Sequence, residues 1–86
     1  LAAADLTQAL RLDPKNAALY RQRADVFLNL GEAVASVSDM QRVIELTPED
    51  SSAVLDLAER LEAQGDAARA ASLISQFAEK HSGKLP

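Results

Sequence analysis

Two helix-breaking residues return at one interval: Pro14 and Pro48 stand 34 positions apart, and so do Gly31 and Gly65. The segments around the prolines align as well, Leu12-Asp13-Pro14-Lys15-Asn16 with Leu46-Thr47-Pro48-Glu49-Asp50. A unit of that length accommodates a helix, a turn and a second helix, and such a unit buries its apolar side only by stacking on its neighbours. The same offset carries Asp5 to Asp39, Ala24 to Ala58, Ala33 to Ala67, Ser38 to Ser72 and Glu45 to Glu79. Leu6 becomes Met40, Leu10 becomes Ile44 and Phe27 becomes Leu61, so size and polarity persist where identity does not.

The 86 residues allow one small domain at most, and a single compact core of that size buries only a limited part of the chain's surface. Aliphatic and Ala content is high and aromatics are scarce, as expected where helices approach through small side chains. Nine basic residues, six Arg and three Lys, are spread thinly against thirteen acidic ones, which argues against nucleic acid. Without cysteine, no disulfide framework or thiolate chemistry is available. No apolar run spans a bilayer and no signal pattern opens the chain, so a cytoplasmic setting without membrane contact is expected. A start at Leu1, in the middle of a repeat, reads as a piece of a longer protein.

The breakers predict five helices. The first runs from about Leu1 to Leu12 and is stopped by Pro14. Asn16 caps a second over Ala17 to Leu30, ended by Gly31; Glu32 opens a third to Leu46, closed by Pro48. Asp50 or Ser51 caps a fourth over Ser52 to Gln64, ended by Gly65, and Asp66 caps a fifth to about His81. Acidic residues at the starts (Glu32, Glu49, Asp50, Asp66) and Lys80 and Lys84 at the last end complement the helix dipoles. Tyr20, Ala24, Phe27 and Leu30 form one stripe and Ala33, Val37, Met40, Val43 and Ile44 another, and the two are expected to face each other. Ala24, Ala58 and Ala70 let backbones approach closely. The first helix is expected to leave an apolar strip with some of Leu1, Leu6 and Leu10 in search of cover, and hence a route to self-association.

The inventory argues against an enzyme and against any cofactor or metal. His81 is the only histidine and reads as a solvated residue near a helix C-terminus, and the isolated Gly31, Gly65 and Gly83 are helix punctuation rather than a phosphate loop. Asp56, Glu59 and Glu62 share one side of a helix, but no loop supplies the six to eight oxygens that calcium takes, so they read as a solvated or peptide-facing acidic face.

The unit 17–50 resembles the tetratricopeptide repeat (TPR) family: a bulky aromatic at Tyr20, a small residue at Ala24, an aromatic at Phe27, the turn Gly31, small or aliphatic Ser36, Val43 and Ile44, and the closing Pro48. The next unit repeats these as Val54, Ala58, Leu61, Gly65, Ala70, Phe77 and Ala78, with Ser82 where the proline would close it. Ahead of them, Ala2, Leu6, Ala9, Leu10, Leu12 and Pro14 match the second half of a unit. Arg23 stands where the family usually has Leu, and Val54 where it prefers a large aromatic.

The resemblance implies an all-α chain of antiparallel helix-turn-helix repeats stacked as a right-handed superhelical α-solenoid of about five helices. Its parts would be 1–16 as half a repeat, 17–50 as a complete repeat and 51–84 as a degenerate second one. It further implies a protein-protein interaction module, a scaffold or adaptor, whose concave groove binds a peptide or partner helix. Family groove positions fall here on Ala18, Arg21, Gln22, Asp25, Leu28 and Asn29, then Ser52, Leu55, Asp56, Glu59, Glu62 and Ala63. Some members clamp the C-terminal carboxylate of heat-shock chaperones with Lys and Asn side chains. Arg21 could stand for the first Lys, but Asp25 and Asp56 occupy the Asn positions, where an ionised carboxylate donates nothing and repels the ligand, so a basic peptide is expected instead. A structural or self-associating segment of a longer solenoid is the alternative, or a regulatory domain of a larger enzyme.

Overall fold

A computed structural model describes residues 2–82, with side chains as far as Lys80; Leu1, residues 83–86, among them Gly83 and Lys84, and the side chains of His81 and Ser82 lie outside the described residues. Five helices follow one another, α1 (Ala3–Leu12), α2 (Ala17–Asn29), α3 (Ala33–Leu46), α4 (Ser51–Ala63) and α5 (Ala67–Ser82), and no strand occurs among the described residues. Each helix packs on the next in sequence order. The array is a slab of 43 × 29 × 13 Å, and its radius of gyration of 13.5 Å exceeds the ~12 Å of a globular chain this long, as stacking in one direction requires. The fold is an all-α solenoid of stacked helical hairpins.

The turns follow from the breakers. Gly31 and Gly65 take φ of +79° and +82°. At each, the two terminal amides fold back: Gly31 N donates to Leu28 O (3.1 Å) and Glu32 N to Phe27 O (2.8 Å), Gly65 N to Glu62 O (2.9 Å) and Asp66 N to Leu61 O (2.9 Å). These are matching Schellman closures, which need a left-handed residue and therefore glycine. At Asp13 and Thr47 the residue before proline is pushed out of helical geometry, ending α1 and α3. Asn16 accepts from Leu19 N, Asp50 from the amides of Ser52 and Ala53, and Asp66 from Arg69 N, whereas Glu32 precedes α3 without a side-chain cap bond.

The core runs through the α2–α3 and α4–α5 hairpins, built on Ala24, Val37, Met40, Val43, Ala53, Leu57, Ala58, Leu61 and Ala70. Ala24, Ala58 and Ala70 are among the most buried residues, in keeping with close backbone approach. Two expectations are corrected. Leu30 leaves the apolar stripe and is 66% exposed, because α2 has ended and the chain is turning toward Gly31. Leu6 and Leu10 are only 1% and 6% exposed, since α2 covers them, so they form no strip awaiting cover.

Arg23 explains its own departure from the family pattern. Its Nε and Nη2 donate to the two carboxylate oxygens of Asp39 (2.8 and 2.7 Å), and its Nη1 donates to Thr7 Oγ1 (3.1 Å), tying α2 to α3 and α1. The guanidinium lies over the rings of Tyr20 and Phe27 at 5.5 and 5.7 Å. The bond to Asp39 holds the Arg23 pKa above its ordinary value against the opposing effect of burial. One repeat later the counterparts of Arg23 and Asp39 are Leu57 and Leu73, so an ion pair and an apolar pair serve the same packing position.

No helix of the described residues is long and apolar enough to cross a membrane.

Candidate peptide-binding face

α2 and α4, the first helices of the two hairpins, are bridged through side chains on one face. Ten of the twelve predicted groove residues are exposed: Ala18, Gln22, Asp25, Leu28 and Asn29 on α2, and Ser52, Leu55, Glu59, Glu62 and Ala63 on α4. Arg21 and Asp56 are half-buried between the two helices.

The face is laced by two crossed ion pairs. Arg21 of α2 donates to Asp56 of α4, and Arg60 of α4 donates to Asp25 of α2 at 2.5 Å. On each helix the two charges stand four residues apart, positive before negative on α2 and negative before positive on α4, so parallel alignment matches both at once. Arg60 is anchored further. Its Nη1 donates to Ser36 Oγ (2.8 Å), and that fully buried hydroxyl donates to Ala24 O (2.8 Å), which links α4 to the interior of the preceding hairpin. Arg21 also lies 3.6 Å from Asp50. The Asp50 carboxyl is held below the ordinary carboxylate range, first by the Ser52 hydroxyl and then by the Ala53 amide, with Arg21 adding to the effect.

These pairs alter the charge reading of the face. Asp25 and Asp56 are matched by Arg60 and Arg21, whereas Glu59 and Glu62 have no ion-pair partner among the described residues. The groove positions implied by the resemblance do not include Arg60, Ser36 or Asp50, whose bonds connect the face to the rest of the molecule. The detectable signal was the reversal of charge order between Arg21-Asp25 and Asp56-Arg60.

A hollow of about 270 Å³ opens on this face, lined by Leu28, Asp56, Glu59, Arg60 and Ala63. A larger one of about 460 Å³ lies between α3 and α5, with the buried Leu57 and Leu61 among its lining, and none of the predicted groove residues borders it. Among the described residues no group of three or more His, Cys, Asp or Glu side chains is placed to hold a metal ion.

No family model matches the chain. Its structure is similar to the crystal structure of the MamA protein with a TM-score of 0.83 over 95% of this chain at 21% sequence identity, and it spans 45% of that protein's chain. At such identity the likeness speaks to the fold alone, which is a TPR-like helical solenoid.

Proposed function

We propose that the chain is a protein-interaction segment, without catalysis of its own, that holds a peptide or a partner's helix along the face of α2 and α4. One observation supports this above the others: the two helices keep exposed side chains although packing has claimed their other sides, with Leu55 55% exposed on α4 and Leu28, 43% exposed on α2, lining a hollow. Apolar groups in a concave setting supply affinity, and charges around them select the partner. Because Asp25 and Asp56 are already matched, the selecting charges are Glu59 and Glu62, which favour a basic peptide. A chaperone-type terminal carboxylate is disfavoured, since Arg21 and Arg60 are committed to aspartates and the clamp's two Asn positions hold Asp25 and Asp56, which donate nothing when ionised. The chain is divided, on this reading, into the half-repeat 1–16, the complete repeat 17–50 and the degenerate repeat 51–84.

Amide chemical-shift mapping with a panel of Lys- and Arg-rich peptides tests the reading. Perturbations are expected on the exposed residues of α2 and α4. Perturbations confined to α1, α3 and α5, or none with any peptide, reject it.

A further inference from the structure

We infer that the hollow beside Leu28 is a receptacle for one basic side chain of the bound peptide, its aliphatic stem lying on Leu28 and Ala63 and its cationic head at the carboxylate of Glu59. The inference rests on the peptide-binding reading and names the residues that set its specificity. The volume of about 270 Å³ admits a long side chain, and Leu28 and Ala63 are exposed apolar surface within it. An extended Lys or Arg covers apolar ground with its methylenes while its charge stays at the edge, which is the form this hollow accommodates.

The sign of the charge follows from what the neighbours already hold. Asp56 also lines the hollow, but Arg21 occupies it. Arg60 follows Glu59 in sequence but does not neutralise it, because its guanidinium is tied to Ser36 and Asp25 and its side chain is only 11% exposed. Glu59 therefore faces solvent with its charge uncompensated among the described residues. An acidic ligand side chain is repelled there, and a neutral one leaves the charge unanswered.

The test uses the blocked peptide acetyl-Gly-Leu-X-Leu-Gly-amide, with X as lysine, norleucine or glutamate, titrated at low salt and followed by amide shifts. Norleucine keeps the four-carbon stem and lacks the ammonium. The lysine peptide is expected to bind roughly two- to fivefold tighter than the norleucine peptide, the range of an exposed ion pair, and the glutamate peptide weakest. Glu59→Gln should erase the lysine preference, Leu28→Ala should weaken the lysine and norleucine peptides alike, and Glu32→Gln, distant at the α2–α3 turn, should leave the preference intact. Equal binding of lysine and norleucine by the native protein, or a preference that survives Glu59→Gln, overturns the receptacle. If perturbations still fall on α2 and α4 in that case, the peptide-binding reading stands without it; if they fall elsewhere or are absent, that reading fails and takes the receptacle with it. Circular dichroism of each variant excludes unfolding as the cause.

Discussion

Arg60 and Asp25 meet at 2.5 Å across 35 positions of sequence, one more than the repeat, and the same interval separates Arg21 from its partner Asp56. The two pairs join neighbouring helices rather than equivalent positions. They convert a face that looks acidic in sequence into one whose central charges cancel, leaving Glu59 and Glu62 to set its sign.

The two pairs differ in their anchoring, and so should their removal. Arg60→Ala loses the bond to the buried Ser36 hydroxyl as well as the exposed Asp25, and is expected to lower stability by about 1 to 2 kcal/mol. Arg21→Ala loses only partly exposed partners and should cost less than about 1 kcal/mol, shrinking further at high salt. Urea denaturation at low and high ionic strength checks both, and a larger loss for Arg21→Ala contradicts the assignment.

The Arg23–Asp39 pair offers a sharper comparison, because the second repeat holds leucines in the same places. Arg23→Leu leaves Asp39, 5% exposed, without its cation and should cost about 3 kcal/mol. Combining it with Asp39→Leu copies the Leu57 and Leu73 arrangement and should recover most of that loss. Denaturation midpoints of the two single variants and the double variant decide the matter; a double variant as unstable as the sum of the singles contradicts the equivalence of the repeats.

The turn glycines were legible from the spacing alone, and so were the helix count and the buried alanines, because breakers and small residues act locally. What lay beyond the sequence was which neighbour covers which stripe. Leu6 and Leu10 form an apolar stripe on any reading, but only three-dimensional packing shows that α2, from the following unit, covers them. Arg23 was visible as a departure from the repeat, whereas its partners Thr7 and Asp39 lie 16 positions away on two other helices, a distance that no periodicity connects. The pairing of the candidate groove residues, and with it the net charge around them, required the side-chain geometry.

At Gly31 and Gly65 an added Cβ would meet nothing within 4 Å, so substitution is opposed by backbone conformation alone. Gly31→Ala and Gly65→Ala should each cost roughly 1 kcal/mol through the positive φ. A loss near zero, measured by thermal unfolding, contradicts the left-handed closure.

Acid should weaken the start of α4. The Asp50 carboxyl has a lower pKa folded than unfolded, so its stabilisation is complete above the unfolded value and disappears as pH falls through the folded one. Stability measured from pH 6 down to pH 2 should therefore decline less steeply in Asp50→Asn than in the native protein. Parallel curves contradict the role given to Asp50.

The account depends most on the α2–α4 face favouring a basic partner through Glu59 and Glu62. Calorimetric titration of the native protein with a Lys-rich peptide and with an acidic peptide bearing a free terminal carboxylate tests this directly, repeated on Glu59→Gln/Glu62→Gln and on Asp25→Asn/Asp56→Asn. The account predicts that the native protein prefers the Lys-rich peptide, that the glutamate substitutions remove the preference, and that the aspartate substitutions act first on stability by leaving Arg60 without its carboxylate and Arg21 with Asp50 alone. A native protein that prefers the acidic, carboxylate-ended peptide contradicts it.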